Sequence, residues 1–271
     1  MNVLMLKLQR RLPIIFRVAL YVTLVYPSPQ SLAQVGANKT PTELDTALAR
    51  VMSGDASNPR DVVLIAKAQA LSAVPVLEEQ FRSSTNVGTK MSIAAGLVKL
   101  HDTDDTYWNY LLEQATLAVD SDIPDAGYSE SAGKMTALAP ELQIWAEAHN
   151  VSVNTAGIYA TYEFPIKVAQ LATTGDPRGL PLLRRALRSR DYLIVMQAAK
   201  GLAHAHDQAS VQLIIAAVRR APRGYDAGIA GALIYFDDPE ARSTVEAYVP
   251  KAQAAIQREM RNSGRDIYGN K

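Results

Sequence analysis

The sequence predicts an all-α protein, a right-handed solenoid of antiparallel helix pairs, and three observations predict it. The first is a repeat. Asp176, Asp207 and Asp238 lie 31 residues apart, and Leu183, Ile214 and Val245 keep the same step, as do Leu187, Val218 and Val249. A fixed period of this size marks units that cannot bury their apolar face alone and therefore stack on one another. The second is periodicity within a unit. Leu193, Val195, Met196, Ala199, Leu202 and Ala203 form one stripe at helical spacing, the pattern of an amphipathic helix. The third is composition. The chain is 48% hydrophobic but only 7% aromatic, and alanine and leucine outweigh the β-branched residues, which favours helix.

Each unit reads as two short helices joined by an aspartate turn. The first helix ends near His204-Ala205-His206, and Asp207 stands where the next helix needs an N-cap. Pro177 and Pro239 follow their aspartates at the first helical position, where a missing N–H leaves no bond unmade. Arg184, Arg185 and Arg188, and then Arg219 and Arg220, close the second helices on the solvent side, where cations complement the helix dipole.

The run ATTGDPRGLPLLRRAL, followed by LAHAHDQASVQLIIAAV and YFDDPEARSTV, resembles HEAT repeats. Its short period is similar to that of the phycobilisome-lyase-type repeat proteins. The resemblance covers residues 159–249 closely and 61–118 more loosely. It implies a scaffold for protein–protein interaction and carries over no catalytic residue.

In chain order, residues 1–33 read as a secretory signal peptide. Lys7, Arg10 and Arg11 form a basic start, residues 18–26 an apolar run, and Ser31-Leu32-Ala33 a cleavage site before Gln34. The apolar segment 12–26, interrupted by Arg17, is 15 residues long, against the ~20 needed to span a bilayer. The expected compartment is therefore a bacterial periplasm or the exterior, with no membrane span in the mature chain. Residues 34–40 read as a mobile mature N-terminus, 41–261 as the solenoid, and 262–271 as a tail. Helices are expected over 42–52, 62–69, 74–81, 91–100, 107–118 and 142–148. A further short one is expected near 155–162, and Pro165 is expected to start the next. Leu171 lies 74 residues after Leu97, more than two periods, and an insertion loop over 120–135 occupies part of that gap.

No residue pattern identifies a catalytic centre. The chain has no cysteine, which removes disulfides and zinc–thiolate sites. His204, His206 and Asp207 offer too few convergent ligands for zinc, with only His101 and His149 elsewhere. Asp120, Asp122 and Asp125 open like a calcium loop, but Pro124 and Ser131 stand at its fifth and twelfth positions. GYSESAGK over 127–134 lacks the glycine spacing of a phosphate loop, and Met135 stands where Ser or Thr would reach magnesium. No metal, cofactor or catalytic activity is expected.

Charge is uneven. Residues 34–179 carry a net −8 and residues 180–271 a net +5. Arg184, Arg185, Arg188, Arg190, Arg219, Arg220 and Arg223, with Tyr192 and Tyr225, form a basic ridge in the second part. Arginine beside tyrosine grips anions and offers rings for stacking, although helix-end cations and snorkelling stems account for the same pattern. The expected function is an exported interaction scaffold that holds a protein partner, of acidic character, on this ridge. An exported chain is not expected to meet genomic nucleic acid. The competing readings are a lyase or hydrolase using the 120–135 insertion and a binder of an anionic polymer.

Overall fold

The structure, a computed structural model, describes residues 41–100, 105–126 and 139–248, and every regular element there is helical. The expected leader, the 34–40 segment, Val249, the terminal segments, His101 and residues 127–138 lie outside the described residues. In chain order the α-helices are α1 (Pro41–Met52), α2 (Pro59–Lys67), α3 (Val74–Ser83), α4 (Val87–Leu100) and α5 (Asp105–Asp120). There follow α6 (Pro140–Ala148), α7 (Val153–Ile158), α8 (Phe164–Thr174), α9 (Leu180–Ala186) and α10 (Tyr192–His204). The last are α11 (Val211–Arg220), α12 (Asp226–Ala230) and α13 (Pro239–Tyr248).

Local chemistry sets the starts. Asn58 accepts from the Arg60 N–H to open α2, Ser152 from Thr155 to open α7, and Asp191 from Leu193 and Ile194 to open α10. The ends use one recurring turn. Gln69, Gly175 and His206 adopt left-handed backbone (φ 51°, 68° and 51°). A one-turn 3₁₀ segment follows each of them, at Leu71–Ala73, Pro177–Gly179 and Gln208–Ser210. After Gln69 and His206 the chain closes with paired reverse bonds, Ala70 N to Ile65 O at 3.1 Å and Asp207 N to Leu202 O at 3.0 Å. The 31-residue step between Gly175 and His206 is thus a repeat of backbone conformation as well as of side chains.

Packing follows the same rhythm. Helix α2 lies on α4, α4 on α8, α8 on α10 and α10 on α12. Ile65, Leu97, Leu171 and Leu202 are buried along that row, Leu233 is buried in the 3₁₀ segment after α12, and Leu183, Ile214 and Val245 are buried on the second helices. Close approach requires small residues. A Cβ on Gly201 of α10 would come within 2.5 Å of the Ala172 Cβ on α8. The long gap of the repeat is filled by α5, which packs on both α4 and α8, and by the α6–α7 pair. The Trp145 indole N–H, donated to Ser121 O at 2.9 Å, ties α6 to the end of α5.

Two expectations change. Asp176 and Asp238 cap as predicted, to Arg178 N and to Glu240 and Ala241 N. Asp207 makes no such bond. Its carboxylate turns to the Arg184 guanidinium, at 2.8 and 2.5 Å, and to the Ser210 hydroxyl. A bidentate ionic contact outweighs one backbone N–H. Pro165 stands in the first turn of α8, as expected of a helix start, but α8 does not start from a loop, because α7, a π-turn and α8 form one continuous run from Val153 to Thr174. A π-turn at Tyr159–Glu163 precedes it, closed by Phe164 N–H to Tyr159 O. Pro165 supplies no N–H and its ring crowds the carbonyl four residues back, so the wider turn accommodates it.

Candidate functional site

The last turns of α9 and α11 carry arginines, and the chain after each bends toward α10 or α12. These two bends, at 188–192 and 220–225, meet residues 124–125 and 139–141 around an open groove of about 760 Å³. Part of the basic ridge and residues beside the insertion, separate features in the sequence, line one groove.

Tyr192 and Tyr225 stack with ring centroids 5.6 Å apart at 27°. Arg220 is held in place from two sides. One guanidinium N–H donates to Leu187 O at 2.7 Å, and the cation lies 5.9 Å from the Tyr192 ring centroid. The Tyr192 hydroxyl in turn donates to Arg220 O at 3.2 Å. Arg190 stands 3.5 Å from Asp122. Arg188 and Arg223 are exposed at the rim, and Asp125 and Glu141 add acidic lining from the insertion flanks.

Six of the nine residues of the ridge line the groove: Arg188, Arg190, Tyr192, Arg220, Arg223 and Tyr225. The other three do not. Arg184 is engaged by Asp207, whose carboxyl it holds below the usual carboxylate range, so Arg184 is not the open solvent-side cation expected from sequence. Arg185 pairs with Asp120 at 2.7 Å, and Arg219 with Glu240 at 3.0 Å. Adjacent helical positions diverge by about 100°, so Arg219 faces α13 while Arg220 faces the groove.

Asp191 is the residue that sequence reasoning missed. It sits between Arg190 and Tyr192 and is fully buried. One oxygen caps α10, and Oδ2 has no hydrogen-bond partner. Burial pushes its carboxyl well above the ordinary range, and the negative charge of Asp125 adds to the effect. The Leu193 and Ile194 N–H groups oppose both. The capping pattern was visible in Asp191-Tyr192-Leu193, but its acidic neighbour, Asp125, comes from a distant part of the chain.

Among the described residues, no group of three or more His, Asp or Glu side chains lies together for a metal, and no helix is long and apolar enough to cross a membrane. His204 meets the Tyr235 ring edge-on, and His149 stacks on Trp145. No family model, curated protein or solved structure matches the chain, so nothing in these comparisons identifies a HEAT-repeat family.

Proposed function

We propose that this chain is an exported scaffold, a right-handed solenoid of HEAT-like helix pairs, that holds an acidic protein partner in the arginine–tyrosine groove. The observation that carries the reading is the convergence of Arg188, Arg220 and Arg223 with the stacked Tyr192–Tyr225 pair on one open surface. Tyrosine and arginine are the residues most enriched where binding energy concentrates. Both rings and the Arg220 head are already fixed, which lowers the ordering cost of association. The stacked row α2, α4, α8, α10, α12 supports the solenoid reading. The leader-like first 33 residues support export, and N-terminal sequencing of the exported protein should begin at Gln34.

A photo-crosslinking residue placed at Arg223 tests the site, with Glu79 on α3 as the remote control. The expected outcome is one discrete crosslinked polypeptide from position 223 that disappears when Arg188→Glu is added. Crosslinks from position 79 with none from 223 would overturn the assignment.

A further inference from the structure

We propose that Asp191 and Asp125 share one proton, which clasps the flank of the insertion to the start of α10 and is given up as pH rises. The clasp does not depend on what the groove binds. Asp191 is fully buried, and its Oδ1 accepts from the Leu193 and Ile194 N–H groups at 2.8 and 3.4 Å. No donor reaches its Oδ2. An anionic oxygen buried without a donor is costly. A neutral acid carries its own O–H there and needs only an acceptor. Asp125, on the insertion flank, is the carboxylate placed to accept it. Burial and the Asp125 charge both disfavour the ionised form of Asp191.

The clasp holds a short neck. Ile123 and Ala126, which bracket Asp125, are buried, and the Ala139 N–H donates to Ala126 O at 3.1 Å. Pro124, Asp125 and Ala139 all line the groove, so movement of the neck changes that lining. The other charged groups at this junction are Arg188, Arg190, Arg220, Asp122 and Glu141. Arg190 stands 3.5 Å from Asp122, Arg220 is held by Leu187 O, and none of the five reaches Asp191 Oδ2. Once the neck opens, Asp191 is an ordinary carboxyl that ionises at pH ~3.9. Opening above that pH therefore releases a proton, and each further pH unit favours it about tenfold. The gain levels off where the clasped pair itself ionises and two carboxylates repel each other.

Residue-resolved hydrogen exchange on the full chain tests this. The Ala139 N–H reports the neck, and the Leu202 N–H within α10 reports unfolding of the whole chain. From about pH 5 to about pH 8, within the range of buried carboxyls, protection at Ala139 is corrected for the intrinsic pH dependence of exchange. It should fall about tenfold per unit until it levels off, and it should stay below protection at Leu202, the mark of a local opening. Asp191→Asn keeps the capping oxygen and offers Asp125 an amide N–H in place of the proton, so its protection at Ala139 should not vary with pH. Asp125→Ala removes the acceptor and should lower protection at Ala139 at least about tenfold at pH ~5. Infrared difference spectra of the parent against Asp191→Asn should show the carbonyl stretch of one protonated acid at neutral pH. Absence of that band, or a fall in protection equal in the parent and Asp191→Asn, would overturn the shared proton. Protection at Ala139 that is flat with pH in the parent, or equal to that at Leu202, would overturn the release.

Discussion

Asp191 combines two roles that pull against each other. As an N-cap it gains from negative charge near helical N–H groups, but full burial beside Asp125 favours the neutral acid. A carboxyl whose folded pKa is raised binds more protons folded than unfolded. Its contribution to stability therefore falls as pH rises from the unfolded value, about 3.9, until the folded group has ionised. Asp191→Asn keeps a capping oxygen and removes the titration. Urea unfolding as a function of pH should give the variant a flatter profile above pH ~4 and stability at neutral pH no lower than that of the parent. Parallel profiles would show that Asp191 titrates normally. At this scale the sequence was legible where a role depends only on neighbours in the chain, as at Asp176 and Asp238. It was illegible where the partner comes from elsewhere. Asp207 is drawn to Arg184, 23 residues away, and Asp191 meets Asp125, which reaches it through the insertion.

The recurring element is the turn that follows α2, α8 and α10. Its left-handed position is Gly175 in one copy and Gln69 and His206 in the others. A residue with a Cβ costs about 1–2 kcal/mol in this conformation, and glycine avoids most of that cost. His206 is exposed, so its side chain contributes little packing. His206→Gly should stabilise the protein by about 0.5–1 kcal/mol, after the extra chain entropy that glycine loses on folding is counted. Chemical denaturation measures it, and a destabilised variant would mean that the His206 ring holds the turn. The helices and this turn were readable because apolar spacing, capping residues and the 31-residue step all agree. The π-turn before Pro165 was not. The sequence offers a proline as a helix start, and α8 uses it so, but no local signal announces that α7 and the π-turn run into α8 without a break.

Across the whole molecule, the opposite net charges of the two sequence halves meet at the groove. Asp125 and Glu141 come from the acidic part, and the arginines from the basic part. The ridge was legible as a cluster of residue types. Which arginines line the groove was not, because Arg184, Arg185 and Arg219 pair with Asp207, Asp120 and Glu240 from distant positions. The central claim is that the exposed arginines of the groove draw in an acidic partner. The most direct measurement is the association rate of the partner captured at position 223, for the parent chain and for Arg188→Glu with Arg223→Glu. Both substitutions lie on exposed residues, and urea unfolding checks that the variant is folded. At low salt the parent should associate at least about tenfold faster than the variant. The difference should shrink near physiological ionic strength, where exposed charges are screened over about 8 Å. Equal rates at low salt, with both proteins folded, would contradict the account.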